Sequence, residues 1–179
     1  YHYRITDIKF DLGLSQIKRV DFFIEKRKIL AKRYDKAFSE YKNIKHITIN
    51  GEIYASIFDI RNISEGLDFL TNDESFIQVG TWNYKKDKIL DAHFHNYFER
   101  SSYRTQEVVY VLQGKIKCNL YEEDTSYIDS AIVEAGMMIV QYQGVHEYEM
   151  IEDSKVLEVK NGPYHGPDKD RTRVNVRKN

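Results

Sequence analysis

The feature that most constrains this chain is a change of period at Ile44. From there on, ten short segments read as strands: 44–49, 52–58, 75–84, 88–95, 107–113, 115–121, 127–134, 137–142, 145–151 and 155–160. They are rich in Val, Ile and Tyr and are divided by Gly, Asp, Asn and Ser. In 115–121 the alternation is clean, with Ile116, Cys118 and Leu120 on one face and Lys115, Lys117 and Asn119 on the other. Helical spacing in this region is confined to 64–70. Many short strands at close spacing argue for a mainly β sandwich or barrel. With 179 residues, 41% of them hydrophobic, the chain has the length and apolar material for one packed domain and a small appendage.

Ahead of Ile44 the period is helical. Residues 5–18 set Ile5, Ile8, Leu12 and Ile17 near one side, with Thr6-Asp7 as a helix start. Residues 21–42 repeat Phe23, Leu30, Tyr34, Phe38 and Tyr41 at helical spacing, with Lys and Arg between them. Neither stripe can be buried by its own helix, so the pair must pack on each other, on the β domain or on a second copy, as in a homodimer. The expected organisation is a helical arm over 1–43, a β domain over 44–166 and a polar tail over 167–179.

Charge is uneven along the chain. Residues 1–45 hold 12 Lys and Arg against 6 Asp and Glu, a net +6, whereas the remainder carries net −7. The basic residues of the arm interleave with acids on a helical period. They therefore read as a solvated helix face, and no nucleic-acid partner is expected. No run approaches the roughly 18 apolar residues of a membrane span, and residues 1–30 lack a signal-peptide pattern. The single Cys118 has no internal partner, so the expected setting is the cytoplasm, with no membrane partner.

The chemistry-bearing residues are histidines and one glutamate. In His93-Phe94-His95 a period of two puts both imidazoles on one strand face, an arrangement that suits a divalent cation. Glu107 opens the segment EVVYVL and shares its face with Val109 and Val111. A carboxylate at the head of an apolar face must be paired or coordinating. His146 follows the Gln143-Gly144 turn after the apolar strand that begins near Gly136.

His93-x-His95, Glu107 with Gly114 seven positions on, and Gly144-x-His146 together resemble the two motifs of the cupin superfamily. The resemblance spans about residues 75–162. It implies a cupin-like jelly-roll barrel enclosing a divalent metal on His93, His95, Glu107 and His146. Imidazoles with one carboxylate suit Fe, Mn, Ni, Zn or Cu alike. The chain departs from the pattern in three places. The segment 96–106 separates His95 from Glu107 by more than the family interval, which leaves Glu99 at the usual distance as an alternative ligand. Tyr142 stands where Pro is common, and Met150 where Asn is usual. Glu107 has the strand parity and is the favoured carboxylate.

Residues 156–170 (VLEVKNGPYHGPDKD) resemble the tail of small cupins of bacterial surface-polysaccharide proteins. On that resemblance Lys160, Tyr164 and His165 sit at the barrel mouth, with Tyr142 and Arg104 as further candidates. The alternative is that Gly162-Pro163 and Gly166-Pro167 only turn the chain. The arm is similar to an internal piece of the DegT/DnrJ/EryC1 sugar aminotransferases, through Tyr1–Ile8, Asp11–Ile17, Arg27, Ala31, Arg33 and Tyr34. In that family an Asn that helps hold the cofactor phosphate stands at the place of His2. The pyridoxal-phosphate lysine and its aspartate have no counterpart here, so aminotransferase activity is not expected. Together the two resemblances imply a metal-binding cupin acting on a sugar nucleotide or related intermediate in surface-polysaccharide synthesis, of isomerase or epimerase type. Tyr142, Lys160 and Tyr164 are its candidate catalytic residues. The rival reading is a non-catalytic sugar-binding or regulatory module.

Overall fold

A computed structural model describes residues 44–176, together with 19, 20, 22–24 and 26. The chain divides into two compact units, Tyr1–Lys42 and Asn43–Asn179. In the first, Val20, Phe22, Phe23, Ile24 and Lys26 are helical and exposed. The Arg19 guanidinium lies 5.3 Å from the Phe23 ring centre and the Lys26 ammonium 5.5 Å from that of Phe22. The remainder of the helices expected over 5–18 and 21–42 lies outside the described residues.

The second unit is mainly β. Its strands are β1 (Ile44–Ile49), β2 (Glu52–Asp59), β3 (Gly66–Phe69), β4 (Gly80–Asn83), β5 (Glu107–Gln113), β6 (Lys115–Tyr121), β7 (Tyr127–Glu134), β8 (Met137–Gln141), β9 (Val145–Met150) and β10 (Lys155–Lys160). They form a five-stranded sheet in the order β1-β2-β8-β5-β10, a β3-β4 hairpin and a three-stranded sheet β7-β6-β9, every pairing antiparallel. A two-residue turn joins β1 to β2. It places Asn50 and Gly51 at φ 52° and 89°, the backbone that Asn-Gly adopts in tight hairpins.

Parity decides the packing. Val109 and Val111 of β5 and Ile139 of β8 face inward with Ala55 and Ile57, against Ile116, Cys118 and Leu120 of β6 and Ala131 and Val133 of β7. Val108 and Tyr110 take the opposite face of β5. There, with Phe58, Met138 and Val140, they are covered by Leu70, Ile77 and Val79. A central strand buried on both faces needs apolar residues without alternation, which explains the run Met138-Ile139-Val140 in β8.

Three expectations change. The segment 64–70, with its helical spacing, contains β3, because its backbone is paired with β4. The strand expected over 75–84 is limited to β4. The segment expected as a strand over 88–95 is unpaired, and 84–106 holds neither strand nor helix. A strand exists only where a neighbour takes its backbone hydrogen bonds, and period-two spacing names a face without naming that neighbour. With 88–95 unpaired, the sheets do not close into a barrel. Past β10 the chain makes one helical turn, α1 (Pro167–Asp170), in which the Asp170 carboxylate accepts the His165 amide at 2.8 Å. No helix among the described residues is long and apolar enough to cross a membrane.

Candidate functional site

The site is built around Glu107, the first residue of β5, which faces inward as Val109 and Val111 do. The register sets it between Gln141 of β8 and Lys160 of β10. From the other sheet, β9 brings His146, paired through its backbone with Leu120 of β6. Glu107 Oε2 lies 3.3 Å from His146 Nε2, and Glu107 Oε1 lies 3.8 Å from Lys160 Nζ. The Glu107 side chain is only 17% exposed, so these partners compensate a costly burial. The His146 hydrogen bond holds the Glu107 carboxyl below the ordinary carboxylate range against the opposing effect of burial. The charges of Lys160 and Arg171 act in the same direction. Lys160 also pairs with Glu158 at 3.0 Å and sits 5.5 Å from the Tyr164 ring centre.

Behind the pair, Tyr148 shares the inward face of His146, with ring centres 5.5 Å apart. Burial raises the Tyr148 hydroxyl well above its usual value and pushes the Cys118 thiol up to about 12, so both stay neutral. The amide of Gln141 donates to Cys118 Sγ at 3.6 Å. The other Gln141 amide atom, Oε1, is buried without a hydrogen-bond partner, and the buried Tyr148 hydroxyl lies against Cys118. Gln141, Cys118, Tyr148 and Arg171 are the site residues that sequence reasoning passed over. Tyr148 was within reach of it, two positions from His146. The other three enter through strand pairing and the return of the C-terminal segment.

The remaining candidates lie elsewhere. His93 and His95 are exposed in 84–106, their ring centres 5.2 Å apart, with His93 Nδ1 3.1 Å from the Asp91 carbonyl oxygen. Glu99 lies in the same exposed segment. Among the described residues no three His, Cys, Asp or Glu side chains converge tightly enough to hold a metal ion. Four possible ligands therefore stand as two pairs, His93–His95 and Glu107–His146. Tyr142 packs on the outer cluster with Phe58, Met138 and Val140, on the face away from Gln141, and burial raises its hydroxyl. Arg104 pairs with Glu123 at 3.2 Å. Tyr164 and His165 are exposed, with Tyr164 beneath Lys160. His2 lies outside the described residues.

Residues 1–63 match the DegT/DnrJ/EryC1/StrS aminotransferase family. The start of the chain is aminotransferase-like. This part runs past the first unit through β1 and β2, so it ends inside the second unit. Because β2 pairs with β8 over Ala55–Asp59, aminotransferase-like sequence supplies two strands of the sheet that carries Glu107. No curated protein and no solved structure matches the chain.

Proposed function

We propose that the second unit is a cupin-type domain acting on a sugar nucleotide or a related intermediate of bacterial surface-polysaccharide synthesis, as an isomerase or epimerase, in the cytoplasm and as a homodimer. The observation that carries the reading is the inward Glu107–His146 pair, drawn from two different sheets and flanked by Lys160. Isomerisation or epimerisation next to a carbonyl requires removing a proton and returning it, and a carboxylate–imidazole pair in a partly buried site suits that task. Lys160 supplies positive charge beside the pair for an anionic substrate, and the Tyr164 ring beneath it gives an apolar face for stacking. The aminotransferase-like segment accords with a place in sugar chemistry.

The donor types of His93, His95, Glu107 and His146, three imidazoles and one carboxylate, are those a divalent cation takes, but they stand as two separate pairs and a cation would need them brought together. Bound there, a cation would supply Lewis acidity to a substrate oxygen. Lys160 would supply the charge nearest the pair to an anionic substrate. The rival, a non-catalytic sugar-binding module, draws on the mutual satisfaction of Glu107 and His146, which leaves neither unpaired.

Elemental analysis of the natively purified protein, paired with a thermal-shift screen of nucleotide sugars, tests the proposal. One equivalent of a transition metal and stabilisation by one nucleotide-sugar class, followed by proton exchange from that sugar into deuterated water, are expected. Stabilisation without exchange selects the binding module. Neither metal nor stabilisation overturns both readings.

A further inference from the structure

β10 is the outer strand of the five-stranded sheet, with β5 on one side and no partner on the other among the described residues. All six of its residues are exposed. Its pairing fixes the faces. Glu158 and Lys160 lie across from Val109 and Glu107 on the inner face, and Leu157 and Val159 lie across from Tyr110 and Val108 on the outer one. Lysines guard many natural sheet edges, but Lys155 and Lys160 stand at the two ends of this strand. Between them Val156, Leu157 and Val159 are 41%, 53% and 54% exposed. Val159 also lines an open cleft of about 410 Å³ with Phe76, Val79 and Val108. An apolar edge of this kind is a template for another strand.

We propose that the occupant is β10 of a second copy, paired antiparallel about a twofold axis at Val159, which joins the two five-stranded sheets into one continuous sheet. The inference rests on the homodimer of the preceding reading and is independent of its reaction. Parity and charge select the register. A symmetric antiparallel pair keeps inner face beside inner face only when a residue lies on the axis. An axis at Glu158 opposes two carboxylates and an axis at Lys160 two ammonium groups, and like charges directly opposite destabilise a pair. An axis at Val156 or Leu157 sets a charged side chain opposite an apolar one. An axis at Val159 sets Glu158 opposite the partner's Lys160 and Lys160 opposite the partner's Glu158. It also packs Val159 on the partner's Val159 at the mouth of each cleft. Past Asn161 the pairing stops at Pro163, which has no amide to donate to a ladder. Lys160 Nζ lies 3.8 Å from Glu107 Oε1 and 3.0 Å from Glu158 Oε1 of its own chain. In the dimer the partner's Glu158 stands across the edge from Lys160, so the second copy adds a carboxylate to the charges around Glu107.

Sedimentation of the full-length protein over a range of concentrations tests the pairing. A dimer is expected. Val159→Lys, which opposes two ammonium groups at the axis, should weaken it at least about tenfold. Glu158→Lys and Lys160→Glu should each weaken it as well, because each creates two like-charged pairs. Mixed in equal amounts, those two variants should associate at about wild-type strength, since both pairs are then of opposite charge. Val159→Cys should oxidise to a disulfide between chains, because opposed strand positions lie within disulfide reach, whereas Leu157→Cys and Glu158→Cys should not. The native Cys118 is buried and does not compete. A dimer untouched by Val159→Lys, with no gain on mixing, overturns this interface and leaves the homodimer standing. A disulfide through Leu157→Cys or Glu158→Cys in place of Val159→Cys overturns the register. A monomer at every concentration overturns the homodimer and this inference together. If the outward amides of β10 in that monomer resist hydrogen exchange, the edge belongs to a segment of the same chain.

Discussion

Replacing Glu107 by Gln keeps the shape of the side chain and removes its charge. In the wild type, the carboxylate takes a charge-assisted hydrogen bond from His146 at 3.3 Å and a weaker attraction from Lys160 at 3.8 Å. Charged hydrogen bonds contribute about 1.5–3 kcal/mol and neutral ones about 1 kcal/mol, so the exchange at His146 costs about 1 kcal/mol. Lys160 retains Glu158 at 3.0 Å and is well exposed, so its loss adds between about 0 and 1 kcal/mol. The expected total at pH 7 is about 1–2 kcal/mol, or roughly 2–8 °C in Tm for a unit of this size. The pH dependence gives an independent check. In the folded chain the carboxyl titrates below its ordinary value of 4.5. Its contribution is therefore complete above that unfolded value and is lost as pH falls through the lower, folded one. Urea unfolding of both proteins between pH 7 and pH 3 should show a gap that is constant near neutrality and narrows in acid as Glu107 begins to take up its proton. A gap that persists unchanged at pH 3, or a variant more stable than wild type at pH 7, refutes the assignment of Glu107 as an inward carboxylate held by His146.

On the proposed cation reading, Glu107→Gln should also lower the metal content of the natively purified protein by most of its value, whereas Glu99→Gln, in a solvated segment, should leave it unchanged by elemental analysis. Gly114→Ala should destabilise the second unit by about 2–4 kcal/mol in urea titration. The turn holds φ at 82°, and an added Cβ would collide with the backbone of Asp153 and Ser154, which anchors β10 beside β5.

Much of the second unit is written in alternation. The parity of Val109 and Val111 set Glu107 inward, and the parity of Ile116, Cys118 and Leu120 set the inner face of β6, before any partner was known. His146 was legible because a glycine turn and an apolar strand precede it. The resemblance of the arm to the aminotransferases was legible in short motifs, though the match continues further, through β1 and β2. Where period alone was used to choose between helix and strand, in 64–70, pairing with β4 prevailed. Over 88–95 the period of two predicts a strand face shared by His93 and His95, but the segment has no neighbouring strand and forms none.

What the sequence determined by itself is therefore local: which side chains share a face, where the chain turns, and which residue types are able to bind a cation or move a proton. These follow from the two-residue repeat of a strand and the steric demands of single residues, which act over a few bonds. What only the tertiary structure decided is adjacency. That Glu107 meets His146 rather than His93 or His95, that Gln141 and Tyr148 both reach the buried Cys118, and that Tyr142 faces the opposite side all depend on strand pairing. Those pairings join residues tens of positions apart and are set by the whole sheet's burial and hydrogen bonding, which no local spacing encodes.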